Sequence, residues 1–465
     1  MCRVTALWTS EEIAAATGGA VSAPFEVTGV TFDSREVQRG DLFIAMPGTV
    51  HDGHKFVEGA FAAGAAGAIV SQPVVGAPHV LVEDTFAALQ ALGKAARERV
   101  QATIFGVTGS VGKTSTKEAL FAALDRNRPG KVHRSVKSYN NHTGVPLSLA
   151  RMPRDVDYAV LEMGMNNAGE IRALVAQVRP HVALITTIAP AHIENLGSEE
   201  AIADAKAEIF EGLEPSGIAI IPNDTPHRDR LLKAARRRAE RIVTFGTGDA
   251  DVHAVHAVSA EGGGSLISAA LLERELTFTI SQPGEHWVAN ALGVLAAVEA
   301  VGADVALAGL ALADMGSLKG RGQRHRVAID GGEILLIDES YNANPASMAA
   351  TLASLGAEKG ATRRIAVLGP MRELGAHSDE LHAGLAPSIR SAHVDRLILI
   401  GEEMIPLDEA LDGSVAVERV TTVDEATERL RAMVRPGDAV LVKASNSVGL
   451  AKLVESMAKE PACST

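Results

Sequence analysis

The stretch that decides the fold is Thr103-Ile-Phe-Gly-Val-Thr-Gly-Ser-Val-Gly-Lys-Thr-Ser-Thr116. An apolar strand runs into a glycine turn, and a helix is predicted to begin at Lys113. Gly109 and Gly112 allow backbone N–H groups to wrap around an anion, and the helix start adds its positive dipole end. Lys113 supplies a positive charge, and Thr114 offers a hydroxyl to Mg²⁺. The sequence therefore predicts a nucleotide-phosphate site.

The turn departs from the common phosphate-loop pattern G-x-x-x-x-G-K-[ST]. Val107 stands where the first glycine would be, and the run reads T-G-x-x-G-K-T. A glycine-rich turn beside a surface lysine is the alternative interpretation, but the strand-turn-helix context favours phosphate binding. The residues predicted to contact the nucleotide here are Thr108, Gly109, Ser110, Val111, Gly112, Lys113, Thr114 and Ser115.

Composition predicts a large protein of several domains. A chain of 465 residues exceeds what one hydrophobic core usually serves, so two to four domains are expected. The net charge of −13 argues against a nucleic-acid partner, and an aromatic content of 3% disfavours a surface for base stacking. Nothing in the sequence calls for an oligomer, and we expect a monomer.

The two cysteines and the hydropathy pattern predict a cytoplasmic protein. Cys2 and Cys463 lie at opposite ends of the chain, which argues against a disulfide framework and favours a reducing compartment. Glu11 and Glu12 interrupt the N-terminal region where a secretory signal would need an apolar run. No later stretch reaches about 18 uncharged apolar residues, so no membrane insertion is expected.

Alternating apolar strands and helices predict an α/β fold with three domains. We expect a small N-terminal α/β domain over residues 1–100 and a central ATP-binding domain over 101–322, with a phosphate-loop type of parallel sheet covered by helices. A Rossmann-like α/β domain is expected over 323–465. Residues 250–281 suggest a hairpin-like excursion, and residues 319–326 a glycine- and arginine-rich link between domains.

Polar residues follow two further predicted strands of the central domain. Glu162 ends the strand Tyr158 to Leu161, and His192 lies in the loop after the strand Val182 to Thr187. Open parallel sheets present ligands at the carboxyl ends of their strands. Glu162 is therefore a candidate Mg²⁺ ligand beside Thr114, with an ion-paired acid as the alternative. His192 and Lys206 alone are ordinary polar residues.

Two later stretches are candidates for ligand contact. His286 and Asn290 lie four residues apart on one predicted helix face and could contact an adenine edge, or simply cap and pack that helix. Asp338-Glu-Ser-Tyr-Asn-Ala-Asn-Pro345 concentrates acids, amides and a phenol in one loop after a strand. The structure of a loop alone rarely requires so many polar side chains in eight residues, so this composition favours ligand contact.

Taken together, these stretches resemble the Mur ligase family over nearly the whole chain. Thr108-Gly-Ser-Val-Gly-Lys-Thr114 and Glu162-Met-Gly164 are similar to the family's ATP core, and Tyr341-Asn-Ala-Asn-Pro345 resembles the members that use D-alanyl-D-alanine. The N-terminal runs similar to the family's UDP-sugar domain are Asp33-Ser-Arg35, Gly40-Asp-Leu-Phe43 and Asp52-Gly-His54. The sequence departs from the usual family residues at Trp287, Glu339, Pro370, Ala444 and Asn446.

The resemblance implies an ATP-dependent amide ligation through an acyl phosphate. Its substrates would be UDP-N-acetylmuramoyl-tripeptide and D-Ala-D-Ala, and the product would be the pentapeptide precursor of peptidoglycan. Two Mg²⁺ ions are implied, with Thr114 and Glu162 at the first and Glu162 and His192 at the second. Lys206 falls where the family carries a lysine carbamylated by CO₂, which would let it approach the metals.

The resemblance also assigns further contacts. The catalytic residues would be Lys113, Glu162, His192 and Lys206. The remaining ATP contacts would be Asn290, Arg321, Asp338, Glu339 and Tyr341. The substrate contacts would be Ser34, Arg35, Asp52, His54, Asn140, Asn141, Asn342 and Asn344.

Two other interpretations remain open from the sequence. A folylpolyglutamate synthase also joins a carboxylate to an amine with ATP, but it lacks a UDP-sugar domain, so the first 100 residues distinguish it. A regulatory nucleotide-binding protein would use the phosphate site as a switch and form no bond. The second predicted metal site and the predicted third domain argue against such a switch.

Overall fold

The computed structural model describes residues 6–48, 52–260 and 264–459. Cys2 and Cys463 lie outside the described residues, as do residues 261–263 within the predicted hairpin. The architecture is α/β, as predicted, with three large sheets that draw on consecutive parts of the chain. Those sheets use residues 20–81, 103–280 and 323–443, and the domain boundaries at 100 and 322 stay a proposal.

The first sheet has five strands, and helices pack against it. Its order is Ala20–Val21, His79–Leu81, Gly67–Val70, Asp41–Ile44 and Gly29–Thr31, with only the first pair antiparallel. A separate pair joins Trp8–Thr9 to Glu26–Val27. The helices are Ser10–Thr17, Val57–Ala62 and Thr85–Glu98, with a 3₁₀ turn at Gly53–Phe56. Asp84 caps the longest helix by accepting hydrogen bonds from two backbone N–H groups.

The central sheet has nine strands, of which seven are parallel. Its order is Glu275–Ile280, Ser265–Ala270, Val252–Ser259, Arg241–Gly246, Ile218–Pro222, Val182–Ile185, Thr103–Thr108, Tyr158–Glu162 and Val132–Arg134. The two strands at the first edge are antiparallel to their neighbours, so the predicted hairpin is confirmed and it extends this sheet. The strands that end at Thr108, Glu162 and Ile185 are direct neighbours, which places their carboxyl ends side by side.

Helices cover both faces of the central sheet, as expected for strands that are buried on both sides. They are Lys113–Asn127, Gly144–Ala150, Glu170–Val178, Ile193–Leu196, Glu199–Ala207, Arg228–Ala235, Glu285–Ala300 and Val305–Asp314, with a 3₁₀ turn at Glu208–Gly212. Each face has its own apolar core. In the described part of the chain, no helix combines the length and hydropathy needed to cross a membrane.

The third sheet has six strands with one antiparallel edge. Its order is Gln323–Ile329, Gly332–Asp338, Ala439–Lys443, Arg364–Leu368, Arg396–Ile400 and Ala416–Val420. Its helices are Pro345–Gly356, Ser378–Ala383, Ala386–Ser391, Ile405–Leu411, Val423–Met433 and Ala451–Ala458, with 3₁₀ turns at Gly375–His377, Glu402–Met404 and Asn446–Val448. The predicted link over 319–326 is only partly a link, because its last four residues already pair in the edge strand.

Lowering the pH is expected to destabilise the folded chain through His133. Its Nε2 lies 2.7 Å from the carbonyl oxygen of Ser148. Burial lowers the pKa of His133 from 6.5 to about 4. The unfolded chain therefore binds a proton near pH 6.5 that the folded chain binds only near pH 4. The associated stabilisation is complete above pH 6.5 and is lost as the pH falls towards 4.

Unfolding midpoints measured between pH 7.5 and 4.5 test this expectation. Over that range, protonation of this one group is expected to lower the free energy of unfolding by about 1–3 kcal/mol. The His133→Gln variant keeps a donor for Ser148 but cannot titrate, so its midpoint is expected to fall less over the same range. If the unfolding midpoints of the variant and the wild type fell equally with pH, the assignment of this effect to His133 would be contradicted. His286 contributes in the same direction, because burial also lowers its pKa to about 4.

Candidate active site

The predicted phosphate loop has the geometry of an anion site. Gly109 and Gly112 have φ angles of 152° and 84°, a region that residues with a Cβ rarely enter. A Cβ at Gly109 would lie 1.9 Å from the hydroxyl oxygen of Thr186, so this position also lacks room for a side chain. The helix Lys113–Asn127 begins at once after the loop and directs its first N–H groups towards it.

Lys113 lies over this loop. Its Nζ donates a hydrogen bond of 2.8 Å to the carbonyl oxygen of Gly109. Burial lowers the pKa of Lys113, and the nearby carboxylate of Glu162 partly offsets that effect. A desolvated ammonium beside a helix N-terminus can stabilise negative charge on a phosphate more strongly than an exposed lysine would.

Glu162 links the phosphate-loop helix to the neighbouring strand. Its side chain is 1% exposed, and one carboxylate oxygen accepts a hydrogen bond of 2.9 Å from the Thr114 hydroxyl. The other oxygen accepts a bond of 2.7 Å from the Asn140 amide. The ammonium of Lys117 lies 4.0 Å away and compensates part of the buried charge.

The donors at this place fit a magnesium ion. Mg²⁺ in nucleotide sites is usually held by one or two protein oxygens together with substrate phosphates and waters. Thr114 and Glu162 bring a hydroxyl and a carboxylate together beside the loop. No group of three or more His, Cys, Asp or Glu side chains with metal-binding geometry occurs among the described residues, so a site here would depend on ligand oxygens.

His192 and Lys206 lie in different surroundings. His192 has a left-handed backbone with φ of 61°, and its Nδ1 forms an ion pair with Glu373 of the third-sheet region. Lys206 is 1% exposed on the helix Glu199–Ala207. Burial, followed by the charge of Lys113, lowers the pKa of Lys206 well below its usual value. An amine in this environment favours the neutral form.

A cavity of about 460 Å³ joins most of the predicted site residues. Arg321 places its guanidinium carbon 4.0 Å from the ring centroid of Tyr341. Asn290 lies against the phosphate loop, since a Cβ on Gly112 would approach its Oδ1 to 2.8 Å. The predicted residues that line the cavity are Ser110, Val111, Gly112, Lys113, Thr114, Ser115, Asn140, Glu162, His192, Asn290, Arg321, Glu339, Tyr341, Asn342 and Asn344.

Other predicted residues do not line this cavity. Both carboxylate oxygens of Asp338 accept hydrogen bonds, one from the N–H and hydroxyl of Ser340 in the same loop and the other from the N–H of Gly320, 18 residues earlier in the chain. Asn141 accepts bonds from the backbone at Thr143 and Gly144. The predicted residues outside the lining are Ser34, Arg35, Asp52, His54, Thr108, Gly109, Asn141, Lys206 and Asp338.

Ser34, Arg35, Asp52 and His54 all belong to the first-sheet region. Arg35 pairs with Asp33 at 2.6 Å, and His54 pairs with Asp52 at 2.7 Å while its Nε2 accepts from the N–H of Ser71. Their predicted role in binding the substrate stays a proposal.

The structure also brings in residues that sequence reasoning missed. Lys443 lines the cavity, donates to the carbonyl oxygen of Asn342 at 2.9 Å and lies 3.4 Å from Glu339. Burial lowers the pKa of Lys443 and raises that of Glu339. Lys117 and Glu373 were missed as well. Lys117 could have been found from its position four residues after Lys113 on one helix face. Glu373 lies in the loop after the strand Arg364–Leu368 and Lys443 at the end of the strand Ala439–Lys443, both far from the phosphate loop in the chain.

Comparison with known protein families extends over most of the chain. Residues 26–101 match the catalytic-domain model of the Mur ligase family, and residues 107–298 match the Mur ligase middle domain. Residues 320–446 match the glutamate ligase domain of Mur ligases. The chain belongs to the Mur ligase family.

Individual members of the Mur ligase family align with nearly the full chain. The UDP-N-acetylmuramoyl-tripeptide–D-alanyl-D-alanine ligase of Synechocystis is 34% identical over 450 residues, which cover 95% of this chain and 94% of the relative. A crystal structure of MurF from Acinetobacter baumannii has a TM-score of 0.84 at 29% identity, covering 97% of this chain and 99% of that one. The MurF ligase of Thermotoga maritima in complex with ADP has a TM-score of 0.76 at 28% identity, covering 93% and 98%.

Proposed function

We propose that this chain is an ATP-dependent ligase that joins D-Ala-D-Ala to UDP-N-acetylmuramoyl-tripeptide. The observation that carries the proposal is the convergence of the phosphate loop, Glu162 and His192 on one cavity that the third-sheet region also lines. Such a cavity can hold a nucleotide, an acid and an amine together. A relative named for this activity aligns over almost the whole length of the chain.

The reaction follows from the chemistry of the two groups to be joined. A carboxylate is a poor electrophile, so the terminal carboxylate of the tripeptide attacks the γ-phosphorus of ATP and releases ADP. The resulting acyl phosphate is attacked by the free amine of D-Ala-D-Ala. The tetrahedral intermediate loses phosphate and a proton to give the amide. Negative charge builds on the phosphoryl oxygens in the first step.

The chain's own residues act on that charge. Lys113 and the N–H groups of the phosphate loop would hold the β- and γ-phosphates. Arg321, Tyr341 and Asn290 would hold the rest of the nucleotide. Bound Mg²⁺, held by Thr114 and Glu162, would neutralise charge on the phosphates. Asn342 and Asn344 would face the dipeptide, and Asn140 the sugar-peptide.

A second Mg²⁺ and a carbamylated Lys206 belong to the proposal. The lowered pKa of Lys206 supports carbamylation, because a neutral amine can attack the carbon of CO₂ and release a proton. The carbamate is an anion, so it would place a negative charge near the buried ammonium of Lys113. His192 would reach the second ion after leaving Glu373. The cytoplasmic location and the monomeric state stay predictions from the sequence.

The proposed reaction is tested by substrate dependence. The protein is incubated with ATP and UDP-N-acetylmuramoyl-tripeptide, and phosphate release is measured before and after D-Ala-D-Ala is added. We expect sustained release only with all three substrates. A nucleotide-dependent switch would ignore the dipeptide, and a result of that kind would contradict the ligase.

Replacing Lys206 with alanine is expected to lower activity by at least about 10²-fold, because the anion near the metal site is lost. A short carboxylic acid added to this variant is expected to restore activity in part, since it can occupy the vacated space with a carboxylate. Phosphate release with and without the acid measures both effects. The matched control is Lys233→Ala, which removes an exposed helix lysine. Its activity should equal that of the wild type, both with and without the acid. Full activity of Lys206→Ala without the acid would exclude the metal-site role.

A further inference from the structure

Lys117 is a fully buried lysine that the proposed chemistry does not use. It lies one helical turn after Lys113, and its side chain is 0% exposed. Its Nζ forms an ion pair of 2.9 Å with Glu118 and donates hydrogen bonds to the carbonyl oxygens of Ser135 and Lys137 at 2.9 and 2.5 Å. A buried charge is costly unless it is fully partnered, so these contacts define one position for the ammonium.

Two of these contacts hold residues 135–140, which we call the junction segment. Its first residue, Ser135, accepts a hydrogen bond of 3.1 Å from the N–H of Glu162. Its last residue, Asn140, donates to the carboxylate of Glu162. The Lys117 ammonium lies 4.0 Å from that carboxylate, too far for a hydrogen bond, so the Glu162 oxygens stay available to Thr114 and Asn140.

The junction segment also reaches both other sheet regions. Ser138 contacts the hydroxyl of Tyr341 in the third-sheet region. Lys137 pairs with Glu36 of the first-sheet region, and the Tyr139 hydroxyl lies 3.5 Å from the same carboxylate. Lys137 has a φ of 52°, which is unfavourable for a residue with a Cβ and needs support from its surroundings. Its carbonyl oxygen obtains that support from Lys117.

We infer that Lys117 is a positioning residue that couples the phosphate-loop helix to the site of the nucleotide-sugar substrate through the junction segment. The inference rests on the proposed function, which assigns the nucleotide sugar to the first-sheet region and to Asn140. The hydrogen bonds of the Lys117 ammonium go to Ser135 and Lys137, which do not line the cavity, and the lining residue Glu162 lies 4.0 Å from it. Its loss should therefore weaken binding of the nucleotide sugar and leave nucleotide binding nearly intact.

Calorimetric titrations of the full chain test this coupling. UDP-N-acetylmuramoyl-tripeptide is titrated into protein saturated with a non-hydrolysable ATP analogue, and the analogue is titrated separately. For Lys117→Met we expect the dissociation constant of the nucleotide sugar to rise at least about tenfold and that of the analogue to change less than about twofold. Lys117→Arg, which keeps the charge and two donors, should recover to within about threefold of the wild type. The control is Lys131→Met, which removes an exposed ion pair with Asp155 and should change neither constant.

Each outcome has a distinct meaning. Equal nucleotide-sugar affinity in Lys117→Met and the wild type, or a parallel loss of both ligands, would overturn the inference. Absence of nucleotide-sugar binding by the wild type would contradict the proposed function itself. If Lys117→Met does not fold, Lys137→Met replaces it, because that side chain is 59% exposed and its ion pair with Glu36 is the next link. A rise of about threefold or more in the nucleotide-sugar constant supports the coupling, and an unchanged constant overturns it.

Discussion

Replacing Lys113 with alanine is expected to lower ADP release that depends on both substrates by at least about 10²–10³-fold. The ammonium lies beside the phosphate-loop carbonyls and is desolvated, so it acts on phosphoryl charge in a medium that screens it weakly. A loss of this size corresponds to about 3–4 kcal/mol of transition-state stabilisation. Coupled measurement of ADP with saturating substrates gives kcat, and variation of ATP gives KM.

Folding should not account for the loss in Lys113→Ala. Burial of the ammonium disfavours its charged form, so its removal is expected to leave the unfolding midpoint unchanged or slightly raised. Lys233→Ala removes a lysine of the same charge from an exposed helix position and is expected to retain full activity. Wild-type turnover by Lys113→Ala would overturn the assignment of the phosphate site.

Replacing Glu162 with alanine is expected to reduce activity at least as strongly, by about 10³-fold or more. The carboxylate accepts from Thr114 and Asn140, so its loss removes the proposed metal oxygen and leaves the buried Thr114 hydroxyl and the partly buried Asn140 amide without their partner. Titrating Mg²⁺ at fixed ATP should give a higher half-saturating concentration for Glu162→Gln than for the wild type. The Gln variant separates loss of charge from loss of volume.

Glu208→Gln is the matched control for Glu162. Glu208 is also a buried carboxylate of the central region, and it accepts backbone hydrogen bonds from Gly169 and Arg172 at 2.7 and 3.0 Å. It does not line the cavity. We expect Glu208→Gln to lower the unfolding midpoint while its Mg²⁺ dependence stays that of the wild type. An identical Mg²⁺ curve for Glu162→Gln would exclude the metal role.

The pairing of His192 with Glu373 connects two parts of the molecule that the reaction must bring together. The same contact is reinforced by the N–H of Glu194, which donates to the carbonyl oxygen of Glu373 at 3.3 Å. Ile193 packs against apolar residues of both the central and the third-sheet cores. The loop after the strand Val182–Ile185 therefore contacts the third-sheet region and also carries His192, a candidate metal ligand.

Much of the candidate site was predictable because it depends on local rules. Strand, glycine turn and helix follow one another within 25 residues, and the backbone of each is determined by nearby residues. The neighbouring strands that end at Glu162 and Ile185 follow from the parallel alternation of strands and helices. Fifteen of the predicted site residues line the cavity, and those of the phosphate loop and the strand ends follow from these rules.

Other features were not readable from the chain. Asp338 lies in a dense polar loop that suggests ligand contact, yet its oxygens accept hydrogen bonds from the backbone N–H groups of Ser340 and Gly320. Asn141 likewise supports the turn before the helix Gly144–Ala150. A polar side chain can satisfy either a ligand or a nearby N–H group, and sequence does not tell which partner lies within reach.

The sequence by itself determined the α/β class, the phosphate loop and the succession along the chain of the strands that precede Glu162 and His192. It could do so because turn chemistry and hydrophobic periodicity act over short distances. Only the tertiary structure decided that Glu373 and Lys443 join this neighbourhood and which groups pair with Lys117. Their partners lie between 20 and 181 positions away along the chain for the contacts with Lys137, Asn342 and His192. Contacts of that kind form only when elements that are distant in the chain pack together, and a charge that is buried by this packing needs a partner.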